Sequence, residues 1–584
     1  MSEIHSEKPD NGNSDALFEG ILPFVPLPLV VELFDIAVTA YGGETAILSP
    51  SGDLSYRELA DRVSGLADAL AGHGVRPGDV IAVEQSPRPA SIAALLAVLR
   101  LGGVVLPLDP VLPPTRRTAV LAAGRATGLI GADESYDRLP ERVPLEDPPA
   151  DAAYICFTSG STGEPKGILG RGAGLAHFVT WQRDTFEVGP GDRVGQLTSW
   201  AFDVALRDVF LPLVSGAALC LPESRSVDAD RVLGFLSRRR VTVLHTVPSL
   251  ARRWLAGRAP VSLPDLRLTF FAGEQLHGEL VRDWRGRIAP RARAVNLYGP
   301  SETTLAKFWY EVPEPPSPGP QPVGSPLPGT QAASADGGEV VIRTPYRSYG
   351  YLSGPDAFRP GPGGPDDLLY PTGDLGRFDA SGVLHLLGRV DDQVKVRGVR
   401  LALRAVERAL ESVPGVVQAG VVDVRDERGE VTLVGHVHVR TSSVTRDSLR
   451  RAVTDQLSAA AVPAVLHLGR EALPLLPSGK LDRSQLRALA GTPGAAAPAP
   501  TPPTSAASIT EVCEQVLGVS PLSPDDNLFD QGADSLFALE IAARLEDVLG
   551  TPVPLGLLFE APTIAEIGAL LTAPVGAGPT KAAP

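Results

Sequence analysis

Cysteine is nearly missing from this chain, which carries three thiols, Cys156, Cys220 and Cys513, in 584 residues. An odd number at such separations offers neither a disulfide framework nor the paired spacing of a zinc or redox site, and it suits a reducing compartment. Positive charge is also short, with 53 Lys and Arg against 68 Asp and Glu and a formal net charge of −15. That balance argues against general affinity for nucleic acid or anionic membranes and favours small molecules and proteins as partners. Long apolar runs are missing too. Ile21 to Val38 is broken by Pro23, Pro26 and Pro28, and Ser91 to Pro107 by Arg100 and a Gly pair, before either reaches spanning length. Residues 1–20 are polar, lack the charged-then-apolar order of a secretory signal, and read as a disordered tail. No internal repeat is found. These absences predict a cytoplasmic, soluble protein.

What is there is the composition of a globular chain, 43% hydrophobic and 21% charged, long enough for roughly two to four packing units. Between about Pro26 and Pro326, helical-period segments such as Tyr56 to Ala71 alternate with β-rich runs at Val80 to Val83, Val104 to Leu106, Val241 to His245 and Leu268 to Phe271. The alternation predicts parallel sheet covered by helices. From Glu339 to Ile342 onward, hairpin signals at Asp379 to Gly382 and Arg425 to Gly429 and helices near Leu403 and Ser448 predict a smaller α+β lobe. Residues 491–508 are nearly all Ala, Pro, Thr, Gly and Ser, a composition that cannot bury a core and reads as a semi-stiff tether. Ile509 to Leu571 has the amphipathic periodicity of a small helical bundle. The expected boundaries are an α/β core over 21–387, a mobile lobe over 388–490, the tether, a bundle over 509–572 and a disordered tail over 573–584.

The richest chemistry lies in Tyr154-Ile-Cys-Phe-Thr-Ser-Gly-Ser-Thr-Gly-Glu-Pro-Lys-Gly167. An apolar strand feeds a loop, Thr158, Ser159, Gly160, Ser161, Thr162 and Gly163, whose hydroxyls and backbone amides suit a polyphosphate, and Lys166 adds a point charge. It is not the common Gly-x4-Gly-Lys-Ser/Thr loop, because Lys166 follows Gly160 by six residues and precedes Gly167. A Gly/Ser/Thr loop alone is usually a surface turn; the full string is far more specific. It resembles the phosphate loop of adenylate-forming enzymes, in particular the adenylation domains of nonribosomal peptide synthetases. Other motifs match in that family's order: Leu54 to Leu59, Leu101 to Asp109, Asn296-Leu-Tyr-Gly-Pro-Ser-Glu-Thr-Thr304, Tyr370 to Leu375, Gly388 to Gly398 and Pro477 to Arg483. The resemblance covers nearly the whole chain.

The resemblance implies an acyl-adenylating ligase that uses ATP and Mg²⁺. The site must bring a carboxylate to the α-phosphorus of ATP and neutralise the displaced pyrophosphate. It implies that Glu302 helps hold Mg²⁺, that Tyr298 stacks on adenine within the loop Asn296, Gly299 and Ser301, and that Asp374 accepts the ribose hydroxyls, as a carboxylate can. Arg389 assists on the ribose-phosphate side, and Lys480 bridges the substrate carboxylate and ribose-phosphate oxygens. Asp391 aligns with the family's hinge, about which the small lobe turns between adenylation and thiolation. Two departures stand out. Arg400-Leu-Ala-Leu-Arg-Ala-Val-Glu407 lacks two acids and a glycine usual after the hinge, and the proline-centred motif before the last loop is reduced to Leu457 to Pro463.

In the family, an aspartate at the position of Asp203 pairs with the α-ammonium of an amino acid; the plainer reading is an N-cap for the following helix. Aligned outward, the side-chain pocket comprises Val204, Arg207, His245, Phe270, Ala272, Leu297, Leu305 and Ala306. It resembles serine-type pockets, but Arg207 and Ala306 depart from them, and an aromatic substrate such as tyrosine stays open. Asp526 to Leu536 resembles a peptidyl carrier protein, an all-α four-helix bundle, whose serine, here Ser535, receives 4′-phosphopantetheine from a phosphopantetheinyl transferase; a bare Asp-Ser pair before an apolar run is more often a helix cap. No condensation or thioesterase segment is legible, so tailoring or condensing enzymes acting separately are the expected users, with an MbtH-like helper left open. The alternatives are a ligase releasing an acyl- or aminoacyl-coenzyme A and a noncatalytic scaffold.

Overall fold

The computed structural model describes residues 18, 22–109, 112, 114–139, 144–159, 165–200, 202–223, 229–256, 261–390, 393–396, 399–425, 431–441, 444–471, 473–474, 481–490, 506–517, 522–526, 528, 541, 545 and 563–572. The chain divides into two compact units, Met1–Ala402 and Leu403–Pro584.

The first unit carries two large sheets. In one, nine described strands run in the order Ser325–Pro326, Phe308–Glu311, Arg293–Tyr298, Leu268–Ala272, Val243–Thr246, Arg193–Gly195, Ala218–Cys220, Thr45–Leu48 and Leu54–Ser55. The six strands from Arg293–Tyr298 to Thr45–Leu48 are mutually parallel, with antiparallel strands at both edges. The second sheet has seven strands, ordered Gly350–Tyr351, Pro165–Arg171, Ala152–Ser159, Val104–Leu108, Val80–Glu84, Gly128–Ile130 and Tyr136–Arg138. Its central strands are unbroken apolar runs, and Val80, Ile81, Ala82 and Val83 are all buried, because helices cover both faces.

The helices form for legible reasons. Tyr56–Gly72 opens on Ser55, whose hydroxyl accepts from the Glu58 amide while the Glu58 carboxylate accepts from the Ser55 amide. Leu59, Val63, Ala67 and Leu70 then recur on one buried stripe. Pro89 starts the next helix, Pro89–Arg100, where its missing N–H costs nothing. The expected strand from Val241 starts later, at Val243, because the Val241 amide closes the turn after helix Ala229–Arg238 by donating to Leu236. The main apolar core joins Phe34, Tyr56, Leu95, Phe178, Trp200 and Phe210 with strand residues such as Phe270 and Leu297.

A smaller antiparallel sheet completes this unit, built from Gln331–Ser334, Glu339–Arg343, Gly364–Phe378, Arg359–Gly361 and Leu384–Arg389. Its hairpin at Asp379 to Gly382 is the expected one, with the Asp379 carboxylate accepting from the Ser381 and Val383 amides. The hairpin Gln393–Val396 with Val399–Ala402 follows. The second unit begins with helix Leu403–Glu411 and holds the strands Val416–Arg425, Val431–Val439 and Val465–Gly469 with helices Arg446–Gln456 and Arg483–Leu489. That is an α+β lobe. In the carrier segment the described helices are Ala506–Leu517 and Ile564–Thr572. Among the described residues, no helix is long and apolar enough to cross a membrane.

Candidate active site

The proposed phosphate loop hangs from a hairpin. Strands Ala152–Ser159 and Pro165–Arg171 pair antiparallel, with Thr158 opposite Lys166 and Ser159 opposite Pro165. Gly160, Ser161, Thr162 and Gly163 lie outside the described residues, as do Asp391, Lys480 and Ser535. Lys166 extends from the hairpin to place its Nζ 5.0 Å from the centre of the Tyr351 ring. The Tyr351 hydroxyl donates to Glu302 Oε1 at 2.7 Å. Two residues picked from distant motifs, Lys166 and Glu302, thus meet around a third that the sequence did not flag.

Glu302 sits in the short 3₁₀ turn Ser301–Thr303 and is 2% exposed. Its carbonyl accepts from both the amide and hydroxyl of Ser348, which anchors the turn. Thr304 and Leu305 continue in the left-handed region, at φ 69° and 58°, a conformation that stores strain. The returning chain packs so tightly on Gly299 that a Cβ there would stand 2.6 Å from the Leu305 carbonyl oxygen, so glycine is required. Lys307, fully buried, ties the turn by donating from Nζ to the Thr304 carbonyl at 3.1 Å, and burial pulls its ammonium down to about 7. A buried hard-oxygen carboxylate fixed in this way fits a Mg²⁺ ligand.

On the nucleoside side, strand Gly364–Phe378 pairs with Leu384–Arg389 so that Asp374 stands opposite Arg389. Arg389 forms an ion pair with Asp374 Oδ1 and donates to Gln393 at 3.0 Å. The Tyr298 hydroxyl donates to Asp374 Oδ2 at 2.6 Å, and Lys395 lies 5.7 Å from the centre of the Tyr298 ring. Thr372, inside the Tyr370 to Leu375 motif, donates to the Val340 carbonyl and accepts from the Asp374 amide. Each carboxylate oxygen of Asp374 keeps a second lone pair after these contacts, which is what a ribose diol needs. Asn296 is brought to the same region, but its amide donates to the Pro322 carbonyl at 2.8 Å and so supports the loop.

The third group surrounds Asp203. Asp203 occupies the N-cap position of helix Val204–Leu213 yet makes no side-chain capping bond. The plainer reading of this aspartate is therefore not what the fold uses. It is buried, its Oδ2 has no hydrogen-bond partner, and burial pushes its carboxyl up against the opposing pull of the Ser301 hydroxyl, Arg207 and the Leu305 amide. Ser301, assigned to the nucleotide by resemblance, thus contacts Asp203. Val204, Phe270, Ala272, Leu297, Leu305 and Ala306 share one apolar cluster. Parallel pairing sets His245 beside Phe270 and Ala272 beside Leu297, near the carboxyl ends of adjacent strands, where α/β sheets bind ligands.

Arg207 and His245 are joined by Asp208, which sequence reasoning missed. Arg207 Nε lies 3.5 Å from Asp208 Oδ1, and His245 Nδ1 lies 3.1 Å from the same oxygen, an ion-pair distance rather than an aligned hydrogen bond. Thr198 donates its hydroxyl to Asp208 Oδ2, and the Gln182 amide meets His245 Nε2 at 2.7 Å. The His245 ring stacks on Phe270 with centroids 4.8 Å apart, and burial with the nearby Arg207 charge holds its pKa down to about 4. An adjacent Arg-Asp pair inside the otherwise apolar Val-Ala-Leu-Arg-Asp-Val-Phe-Leu-Pro-Leu helix was the available signal.

With this geometry in view, the chain matches the AMP-binding enzyme family over residues 34–352, its C-terminal domain over 405–480 and the phosphopantetheine attachment site over 507–571. It belongs to the AMP-binding enzyme family. The adenylate-forming enzyme is joined to a carrier segment, as in nonribosomal peptide synthetases. A probable non-canonical nonribosomal peptide synthetase, CymA, of Salinispora arenicola is 33% identical over 96% of this chain. The phosphinothricin tripeptide synthetase PhsC of Streptomyces viridochromogenes is 34% identical over 91% of it. The chain spans only 8% of the first relative and 52% of the second. Among solved structures, holo-PA1221, an NRPS protein containing adenylation and PCP domains bound to a vinylsulfonamide inhibitor, matches with a TM-score of 0.76 at 25% identity, covering 93% of this chain and 96% of that one.

Proposed function

We propose that this chain activates an L-α-amino acid with ATP as the aminoacyl-AMP and loads it onto its own carrier segment at Ser535. The observation that carries the reading is Asp203, a buried carboxylate whose Oδ2 lacks a partner, next to the Ser301–Glu302 turn and within the same unit as the Tyr298–Asp374–Arg389 cluster. A buried carboxylate with one oxygen unpartnered carries a desolvation cost that Ser301, Arg207 and the Leu305 amide offset only in part, and an α-ammonium would offset the rest. Fatty and aryl acids leave it in place.

In this reading, Asp203 orients the amino acid, and Asp374 with Arg389 and Tyr298 fixes the nucleoside. Glu302, braced by Tyr351, would hold Mg²⁺, which would supply positive charge on the pyrophosphate side of the site. By resemblance, Lys166 and the loop Thr158 to Gly163 are assigned to the phosphates, Lys480 to the carboxylate and ribose-phosphate oxygens, and Asp391 to the hinge. Ser535 would hold 4′-phosphopantetheine, whose terminal thiol would supply the thioester linkage for the aminoacyl group. A phosphopantetheinyl transferase installs that arm, and tailoring or condensing enzymes of secondary metabolism draw on the loaded carrier in the cytoplasm, with an MbtH-like protein as a candidate helper.

The test combines amino-acid-dependent pyrophosphate exchange with mass spectrometry of the Ser535 peptide after phosphopantetheinylation. Exchange with an amino acid and a matching mass gain on Ser535 are expected. Ser535→Ala should retain exchange and lose all covalent loading; unchanged loading in that variant sinks the carrier assignment.

A further inference from the structure

We propose that Asp208 makes the side-chain pocket electrically complete without the substrate's side chain, so that this enzyme selects an α-amino acid whose side chain is uncharged. The inference rests on the amino-acid loading reading given above and narrows its substrate class.

The argument is a charge count among buried groups. Arg207 is 3% exposed and Asp208 0%, and they lie within ion-pair distance of each other. Their charges cancel. His245, 1% exposed, meets the Gln182 side-chain amide at its Nε2 and sets its Nδ1 3.1 Å from Asp208. Buried in this way beside Arg207, with its pKa held down to about 4, the ring is a neutral imidazole and adds no charge. Asp203 carries the remaining negative charge on this side, and the α-ammonium balances it. The Glu302 carboxylate accepts from Tyr351, and its charge adds to the burial that raises the Asp203 carboxyl, so a cation on either carboxylate eases both.

Arg207 on its own invites an acidic substrate. Held by Asp208, which Thr198 also anchors, it becomes a filled wall. A substrate carboxylate would leave one buried negative charge uncompensated, and a side-chain ammonium would leave one positive charge. Both cost more than a neutral side chain. The contacts of Asp208 are to Arg207, His245 and Thr198, so it acts as a positioning residue through Arg207 and His245.

The experiment is pyrophosphate exchange by the full-length protein over the twenty standard amino acids. The best substrate should be neutral in its side chain, with Asp, Glu, Lys and Arg at least ~100-fold lower in kcat/KM. In Asp208→Asn, which leaves Arg207 without its counter-charge, the ratio of acidic to neutral substrates should rise at least tenfold. In Arg207→Gln, which leaves Asp208 alone, the ratio of basic to neutral substrates should rise instead. A purely structural loss would lower all substrates together and move neither ratio, and that result overturns the proposal. Wild-type exchange that peaks at an acidic or basic amino acid also overturns it, while the loading reading survives. Silence on all twenty overturns the loading reading and this inference with it.

Discussion

The two ends of this site are built differently. At the end proposed for the nucleotide, Lys166, Glu302, Asp374 and Arg389 each sit in a short string of hydroxyl, glycine and charged residues, and local hairpins and turns deliver them. The 3₁₀ turn holds Glu302, and one antiparallel pairing sets Asp374 against Arg389. At the side-chain end, Asp203, Arg207 and Asp208 on one helix meet Gln182 from another, His245 and Phe270 from neighbouring strands, and Leu305 from a strained turn. Chemistry common to a family is carried in contiguous loops. Selectivity is assembled from single residues on several buried elements, each of which can change without breaking a loop.

That contrast can be broken by experiment. The largest effect is expected from Asp203→Ala, which removes the ammonium's partner: exchange kcat/KM should fall about 10³-fold, mostly through the amino-acid term, the size that losing a buried charged contact predicts. A fall confined to the ATP term would reverse the roles assigned to the two ends. Asp374→Ala should show the opposite pattern, raising the KM for ATP roughly 100-fold while the amino-acid KM stays close to wild type. Tyr351→Phe takes one hydrogen bond from Glu302. The Mg²⁺ concentration for half-maximal exchange should rise about tenfold, and an unchanged Mg²⁺ titration would remove Glu302 from metal binding.

Two smaller effects concern pH. Lys307 is a base whose folded value, about 7, lies below its ordinary 10.5. Between those values the unfolded chain binds more protons, so stability rises with pH across about 7 to 10.5 and the burial cost is fully present below 7. Lys307→Met should therefore be more stable than wild type near pH 6.5, by an amount on the order of a few kcal/mol, with the difference shrinking towards pH 10; parallel melting curves would refute this. His245, held at about 4, works in a lower window. Stability should fall as pH drops from about 6.5 to 4, and His245→Gln should flatten part of that decline in the melting temperature.

Much of the fold could be read in advance because its signals are local. Ser55 and Glu58 mark a helix start, Pro89 another, and the apolar runs at Val80 and Val104 have the length and flanks of buried parallel strands. The residues expected at the nucleotide, Lys166, Glu302, Asp374 and Arg389, could be picked for the same reason. Tyr351 was not, since nothing around Ser348 to Tyr351 distinguishes a tyrosine that braces Glu302 from one that packs. Asp208 was missed because a charge in a mostly apolar helix has no meaning until its neighbours from other elements are known. Asp203 shows the reverse case: its position is that of an N-cap, and only the folded backbone reveals that its side chain caps nothing.

The amino-acid sequence by itself determined the enzyme class and the presence of a carrier segment behind it, because contiguous residues carry those motifs. Tertiary structure alone decided that Arg207 lies beside Asp208, that burial holds the His245 pKa down, and that Asp203 keeps a carboxylate oxygen without a partner. The physical reason is that burial and charge pairing belong to groups brought together across the fold, and no stretch of chain contains them.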